Sequence, residues 1–286
     1  MMGTAMRIDA HQHFWKYDAV RDAWITSEMA VLQRDYLPID LLPELVRHGI
    51  SGTIAVQADQ SENETEFLLD IAERHSFVVG VVGWTDLRSP RVAERLEYYT
   101  RFDRLVGFRH IVQAEPDDLF LLHHDFMRGL RCLYANGYSY DVLVYPRQLH
   151  AAIELAQRLP ELRLVLDHIG KPPMREGRRG PWRQQIYELA KNTNVYCKLS
   201  GLLTEADWQH WTADDIRPYL DVVFEAFGPD RLMFGSDWPV CLLAAGYGQV
   251  TKLIADYAAQ CGAGALEAIM GSNAIHFYRV KAAACT

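Results

Sequence analysis

The sequence predicts an α/β protein whose single domain, residues 1–286, folds as a TIM-like (β/α)8 barrel. Eight short apolar runs, rich in β-branched residues, alternate with longer stretches of helical periodicity, and no Gly/Ser-rich linker divides them. One barrel of this kind takes about 250 residues, which suits the length of this chain. An open, doubly wound sheet is the alternative. Because no GxGxxG motif follows a predicted strand, we favour the closed barrel.

The predicted strands, in chain order, cover residues 7–13, 53–58, 78–86, 105–112, 140–145, 162–169, 194–200 and 231–237. Helical patterns fill the gaps between them, and three of these patterns end at a glycine of the kind that caps a helix: Gly49, Gly137 and Gly228. Residues 15–37 form a long connection after the first strand. We expect a loop or lid there, since long connections are often functional.

Charge and composition limit the possible partners. The formal net charge is −8 at pH 7, so the chain lacks the basic character that attracts nucleic acid or an anionic membrane. No run of about 18 apolar residues predicts a membrane span, and residues 1–6 lack the apolar segment of a signal peptide. The five cysteines include no CxxC pair, so we expect reduced thiols in the cytoplasm. A small molecule is the expected partner, for a monomer or a homo-oligomer.

The first predicted strand ends in two histidines, His11 and His13. Residues two apart lie on the same side of a strand, so both imidazoles are expected side by side, as a metal site requires. Asp9 shares their parity and is expected to orient one ring or to lie below it. The alternative is that the two histidines merely line a polar loop.

Strands six and eight end in His168 and Asp237. Active sites of barrels lie at the C-terminal ends of the strands, so both residues are candidates for catalysis or metal binding, with Asp237 as general base or ligand. The alternatives are a histidine hydrogen-bonded in the barrel mouth and an aspartate that caps the following loop. Asp167 has the opposite parity and is expected to face the helices or a loop backbone.

Two basic residues are further catalytic candidates. Arg109, at the end of strand four, could donate charge-assisted hydrogen bonds to a substrate carbonyl or carboxylate, or form a structural salt bridge. Lys198 lies within the apolar seventh strand, where an unpaired charge is costly. We expect it to balance Asp237 or to hold a substrate oxygen. The alternative is a side chain that extends out of the mouth.

Other strand ends and loops predict the walls of a pocket for a sugar-like ring. Polar and aromatic residues close strands two, three and five or follow strand one: Gln57, Trp84, Tyr145 and Trp15. A basic loop, residues 171–182, follows the sixth strand and holds Arg175, Arg178 and Arg179. We expect either a solvated surface or attraction of an acidic substrate or product.

These motifs together resemble the amidohydrolase superfamily, and within it the branch of sugar lactonases that includes the L-fuconolactone and L-rhamnonolactone hydrolases. The likeness covers nearly the whole chain. It is carried by residues 9–15 (DAHQHFW), 34–38 (RDYLP), 49–53 (GISGT), 81–84 (VVGW), 107–110 (GFRH), 166–172 (LDHIGKP), 198–201 (KLSG) and 234–240 (FGSDWPV).

The resemblance implies a barrel enzyme that opens a lactone with water. Its functional set would be the four residues His11, His13, His168 and Asp237. A binuclear site of this superfamily needs a carboxylated lysine on strand four and a histidine on strand five, but those strands offer Arg109 and Tyr145 here. The implied cofactor is therefore one divalent metal, with zinc as the first choice, or none.

The predicted function is hydrolysis of L-fucono-lactone or a similar aldonolactone, with a place in L-fucose catabolism. Asp237 would take a proton from water, while Arg109 and Lys198 stabilise the developing oxyanion. The carbonyl would be polarised by the metal or by the histidines, His168 among them. A metal-dependent decarboxylase of an aromatic or related carboxylic acid is the alternative enzyme. A barrel that binds a sugar acid without catalysis is the alternative outside enzymes.

Overall fold

The structure, a computed structural model, describes residues 6–281. Residues 1–5 and Cys285 lie outside the described residues. The expectation that the N-terminal segment lacks a signal peptide concerns residues 1–6, so most of that segment is not described. Eight strands form one parallel sheet in the order β1-β2-β3-β4-β5-β6-β7-β8, and each overlaps one predicted strand. The predicted (β/α)8 barrel is confirmed.

The strands are β1 Ile8–Gln12, β2 Gly52–Val56, β3 Val78–Gly83, β4 Leu105–His110, β5 Ser139–Val142, β6 Leu164–Leu166, β7 Val195–Leu199 and β8 Leu232–Phe234. The helices around them are α1 Pro38–His48, α2 Glu62–Arg74, α3 Val92–Tyr99, α4 His124–Ala135, α5 Leu149–Arg158, α6 Gly180–Ala190, α7 Ala213–Phe227 and α8 Tyr247–Ala259. A short α9 Ala265–Glu267, a π-helical turn Ala268–Ser272 and α10 Asn273–Tyr278 follow.

Glycines end the helices where the sequence predicts them. The φ angles of Gly49, Gly137 and Gly228 are 64°, 78° and 68°, in the left-handed range that glycine tolerates without a steric penalty. Within residues 6–281, no helix is both long enough and apolar enough to cross a membrane.

The barrel closes where β1 meets the end of β8. The N–H of His13 donates a hydrogen bond to the carbonyl of Trp238 (2.7 Å), and the N–H of Asp237 donates to the carbonyl of His11 (2.8 Å). Two candidate ligands from opposite ends of the chain, His13 and Asp237, are therefore brought together by the closure itself.

The C-terminal helix covers the N-terminal end of the barrel. Phe277 and Tyr278 of α10 belong to the same apolar cluster as Ile8 and Val165 of the strands. Arg163, just before β6, donates a hydrogen bond to the carbonyl of Phe277. Because this end is sealed, the C-terminal ends of the strands remain for the site, as is usual in barrel enzymes.

Gly129 of α4 tests how closely this helix packs against the backbone of Leu87. A Cβ atom at this position would lie 2.1 Å from the carbonyl oxygen of Leu87, a backbone atom that cannot rotate away. We expect Gly129→Ala to lower the free energy of unfolding by about 1–3 kcal/mol, since α4 must shift to relieve the clash. Urea denaturation measures this change.

The matched control is Gly180→Ala in α6, where a Cβ would meet nothing within 4 Å. The free energy of unfolding of this variant should change by less than about 1 kcal/mol, because the position is exposed and no residue elsewhere in the chain must move to admit the methyl group. Equal stability of the Gly129→Ala variant and this control would contradict the tight contact between α4 and residue 87.

Candidate active site

The two histidines of β1 meet at the mouth of the barrel. The Nε2 atoms of His11 and His13 lie 3.2 Å apart, and both side chains are buried. The pairing of β1 with β2 shifts register between Asp9 and Gln12, so side chains in this stretch do not alternate strictly between the two faces. The predicted proximity of the two imidazoles is found, although strict alternation is not what produces it.

Asp9 bonds to backbone and hydroxyl groups around the site. Its carboxylate accepts hydrogen bonds from the N–H and Oγ of Ser236 (2.8 and 2.6 Å), from Oη of Tyr247 (3.1 Å) and from the N–H of His11 (3.2 Å). Among the described residues, it bonds to neither imidazole, so the prediction that it orients a ring is wrong. Burial raises the pKa of Asp9 to about 6, although these hydrogen bonds oppose the shift. The carboxylate ties β1 to β8 and α8.

Strand β6 delivers two side chains to the site instead of one. Asp167 is in phase with Val165, whose side chain belongs to the interior cluster. His168 follows with φ 53°, a left-handed conformation that costs a residue with a side chain about 1–3 kcal/mol. Since this turn breaks the two-residue alternation, Asp167 and His168 are both buried at the site. The prediction that Asp167 faces the helices is wrong.

Asp237 completes the group, also from a left-handed residue with φ 57°. Its Oδ1 lies 3.3 Å from Nε2 of His13, 3.7 Å from Nε2 of His11 and 4.0 Å from Nε2 of His168. Burial alone would raise the pKa of Asp237, but the three imidazoles outweigh it and bring the pKa below its ordinary value. Burial also lowers the pKa of His168 to about 4, so this ring is neutral at neutral pH.

A fully buried ion-pair network lies below these residues. The Nζ of Lys198 is 2.5 Å from Oδ2 of Asp141, 3.0 Å from Oδ1 of Asp167 and 3.1 Å from Nδ1 of His11. Lys198 therefore neither balances Asp237 nor extends out of the mouth, which corrects both expectations. Tyr278 of α10 donates a hydrogen bond to Asp141 (2.8 Å) and links the network to the C-terminal helix.

Arg109 joins the network to the site. Its Nη1 lies 3.0 Å from Oδ2 of Asp167 and 3.2 Å from Nε2 of His11, and its Nη2 donates to the carbonyl of Gln57. Burial raises the pKa of Asp167, but Lys198, His11 and Arg109 together bring it well below the ordinary value. The expected structural salt bridge of Arg109 is therefore present. Because Arg109 also lines the cavity, its role as a donor to the substrate stays a prediction.

Sequence reasoning missed Asp141. The residue is fully buried within β5 and shares the ammonium group of Lys198 with Asp167. The available signal was a carboxylate inside an otherwise apolar strand, since such a group is costly to bury without a partner.

A cavity of about 310 Å³ opens above His13, His168 and Asp237. Trp15 and Trp24, from the long connection after β1, form part of its wall, which agrees with the expected loop or lid. The lining residues are His13, Trp15, Trp24, Ala58, Arg109, Ile111, Gln113, Ala114, Leu143, His168, Lys171, Asp237 and Val240.

The other predicted wall residues lie outside this lining. Gln57 is fully buried, and its Nε2 donates to the carbonyl of Arg109 (3.2 Å). Trp84 Nε1 lies 3.3 Å from Nδ1 of His110. Tyr145 is 38% exposed at the rim, with Nζ of Lys171 5.6 Å from its ring centroid. Their roles in substrate binding stay predictions.

The basic loop contributes one residue to the cavity. Lys171, held by an ion pair with Glu205 (3.2 Å), lines it. Arg175 and Arg179 line a separate surface groove, and Arg178 forms an ion pair with Glu176. The three arginines therefore lie on the solvated surface, which was one of the two expectations for this loop.

His11, His13 and Asp237 at the mouth of the barrel fit one metal ion. Donor atoms about 2.0–2.1 Å from a tetrahedral zinc lie about 3.4 Å apart, close to the spacing of 3.2–3.7 Å among the facing atoms of His11, His13 and Asp237. Nδ1 of His13 lies 2.7 Å from the carbonyl oxygen of Val56, so the ring donates there and keeps the lone pair of Nε2 for the site.

A second grouping, of His11, Asp167 and His168, suits a metal less well. Asp167 already lies 3.0 Å from the cationic groups of both Arg109 and Lys198. The buried carboxylates of Asp141, Asp167 and Asp237 exceed these two cations by one negative charge, which favours a single divalent ion over two.

The chain is similar to known proteins over nearly its whole length. A model of the family described as Amidohydrolase matches residues 8–280. The L-fucono-1,5-lactonase of Burkholderia multivorans is 46% identical to this chain over 285 residues, which cover 96% of both sequences.

Two solved structures that hold a metal ion differ widely in their similarity to this chain. An amidohydrolase from Burkholderia multivorans with bound zinc matches with a TM-score of 0.94 at 45% identity, over 97% of this chain and 100% of that one. A dihydroxybenzoic acid decarboxylase from Polaromonas sp. JS666, with bound manganese, matches with a TM-score of 0.70 at 13% identity, over 98% of each chain. The second likeness is one of fold alone.

Lys198→Met tests the buried network. The substitution keeps the volume of the side chain but leaves Asp141 and Asp167 without their shared counter-charge. We expect the free energy of unfolding to fall by about 3–5 kcal/mol in urea denaturation. Adding Asp141→Leu should recover part of the loss, because one uncompensated carboxylate is then removed.

Lys252→Met is the matched control, since Lys252 forms an exposed ion pair with Asp256. Its stability should change by less than about 1 kcal/mol. A Lys198→Met protein as stable as this control would show that the network carries no buried charge.

Proposed function

The chain belongs to the amidohydrolase family, and from this premise we propose that it is a lactone hydrolase, which opens L-fucono-1,5-lactone or an aldonolactone of similar shape to the aldonic acid. The observation that carries the proposal is the meeting of His11, His13, His168 and Asp237, the last three of which line one cavity. The full-length similarity to an L-fucono-1,5-lactonase supports the same reaction. A lactone of this kind forms when a sugar is oxidised at its anomeric carbon, which fits a role in L-fucose catabolism.

The cavity suits a single sugar ring. Its volume of about 310 Å³ is at the lower end of the range for small-molecule sites. The indoles of Trp15 and Trp24 contribute apolar surface to the wall, while Arg109, His168 and Asp237 supply polar groups. A lactone bound with its carbonyl on the floor is shielded from solvent at the bond that breaks.

Asp237 is the proposed general base. Its Oδ1 faces the imidazoles, which leaves Oδ2 to take a proton from the attacking water. Water adds to the lactone carbonyl, the ring C–O bond then breaks, and the proton held by Asp237 passes to the ring oxygen that leaves. The products are the free hydroxyl and the carboxylic acid of the aldonic acid, and the acid then releases its proton to solvent as it becomes the carboxylate.

Arg109 is the proposed donor to the oxygen that becomes negative when water adds. Its guanidinium lines the cavity, and its Nη1 lies 3.2 Å from Nε2 of His11. Lys198 does not belong to the cavity lining and is fully buried. We assign it a positioning role through His11 and Asp167, in place of direct contact with the substrate.

We further propose that one zinc ion is held by His11, His13, His168 and Asp237. The spacing of the facing atoms of His11, His13 and Asp237 and the excess negative charge of the buried cluster support a single divalent ion. Nε2 of His168 lies farther away, 4.0 Å from Oδ1 of Asp237. When bound, such an ion supplies Lewis-acid polarisation of the lactone carbonyl.

The decarboxylase alternative has less support. The decarboxylase from Polaromonas shares the fold at 13% identity, which carries no argument about its reaction. A barrel that only binds a sugar acid would have no use for a buried carboxylate among three imidazoles.

Asp237→Asn tests the proposed base. The amide cannot take a proton from water, so we expect kcat/KM for L-fucono-1,5-lactone to fall by about 10²–10⁴-fold, with an unchanged circular dichroism spectrum. A pH-indicator assay against L-fucono-, L-rhamnono-, L-galactono- and D-arabinono-lactones measures the activity. Asp256→Asn, at an exposed position of α8, is the control and should keep full activity.

Activity of the Asp237→Asn protein within threefold of that of the unaltered protein would refute this role of Asp237. Failure of the unaltered protein to hydrolyse any of the lactones, with release of carbon dioxide from a benzoate-type acid, would favour the decarboxylase.

Metal analysis tests the zinc site. We expect about one zinc per chain, loss of lactone hydrolysis after chelation and recovery on adding zinc. His13→Ala should weaken zinc binding by at least tenfold in a competitive chelator titration, while His210→Ala, at an exposed position, should not. Full hydrolysis by metal-free protein would instead assign polarisation of the carbonyl to the histidines and Arg109.

A further inference from the structure

We infer that Gln113 binds the substrate, through a hydrogen bond between its side-chain amide and a ring hydroxyl of the lactone. The inference rests on the proposed function and deepens it, because it names a feature of the substrate that the site distinguishes. Gln113 lies in the 3₁₀ turn Val112–Ala114 after β4 and lines the cavity.

The side-chain oxygen of Gln113 is buried but has no hydrogen-bond partner among residues 6–281. A buried acceptor without a partner loses its hydration and gains nothing in return, so such atoms are rare in native proteins. Gln113 belongs to the cavity wall, and its side-chain nitrogen is not among the buried unpaired atoms. A turn of the amide, which exchanges the oxygen and the nitrogen, therefore brings the oxygen to a ligand inside the cavity.

The backbone around Gln113 is held without help from its side chain. Its N–H donates to the carbonyl of Leu143 (3.0 Å), and its carbonyl accepts from Nη2 of Arg147 (3.2 Å). Nε2 of Gln148 donates to the carbonyl of Val112 (2.8 Å) in the same turn. These bonds join the turn to the loop after β5, so the amide is placed in advance on a supported backbone.

The chemistry of the cavity favours a hydroxyl as the partner. Three other residues of the lining, Ile111, Leu143 and Val240, are aliphatic and offer no hydrogen-bonding side chain. A sugar hydroxyl both donates and accepts, so it satisfies the oxygen or the nitrogen of the amide. A site built in this way discriminates against a ring that lacks the hydroxyl, because the amide is then left unpaired.

Gln113→Leu tests the inference, since leucine keeps the approximate size of the side chain and removes the amide. We expect kcat/KM for the best hydroxylated lactone to fall roughly tenfold. The same substitution should leave kcat/KM unchanged, or raise it, for δ-valerolactone, a six-membered ring without hydroxyls. Where δ-valerolactone turns over too slowly, its inhibition constant against the best lactone replaces kcat/KM.

Gln209→Leu, at an exposed position, is the matched control and should change neither substrate. Equal losses on both lactones in the Gln113→Leu protein would mean that Gln113 only supports the fold, and no loss on either would mean that it makes no contact. Both results overturn the inference while lactone hydrolysis stands. An unaltered protein that opens no lactone would instead contradict the proposed function and this inference with it.

Discussion

The pairing of buried charges beneath the barrel mouth is the interaction on which the rest of the site depends. Lys198 lies between Asp141 and Asp167, and Arg109 binds the second oxygen of Asp167. Ions in a dry interior are tolerated only when each has a counter-charge and hydrogen bonds in good geometry. The network therefore fixes the positions of Arg109 and of the imidazole of His11, which contact it directly. Catalysis needs such fixed groups, because the charge that develops during the reaction must meet dipoles that are already oriented.

The fixed surroundings of the site also explain why two of its residues keep an unfavourable backbone conformation. His168 and Asp237 both have positive φ, near 53° and 57°, where a side chain crowds its own backbone. Such strain persists only where the surroundings overdetermine the conformation. At Asp237 the backbone bond to His11 closes the barrel, and at His168 the ring lies 2.9 Å from Oγ of Ser200. The strained turns aim side chains that an undistorted strand would have directed elsewhere.

The floor and the walls of the cavity come from different parts of the fold. The floor is made by strand ends, which hydrogen bonds to neighbouring strands on both sides keep in place. The walls come from the connection that carries Trp15 and Trp24, the turn at Gln113 and the loop at Lys171. Loops can change without disturbing the core, so this division lets the chemistry stay constant while the walls set which lactone fits.

The sequence by itself determined the eight strands, the helices between them and four residues that meet at the mouth, because periodicity and the rule on strand ends are local or topological. It placed Asp167 on the wrong side, gave Lys198 the wrong partner and overlooked Asp141 and Gln113. Those features depend on left-handed turns, a register shift in β1 and contacts between residues far apart in the chain, such as Tyr278 with Asp141. Only tertiary structure decides them, because a buried charge or amide takes whichever partner the folded chain brings within reach.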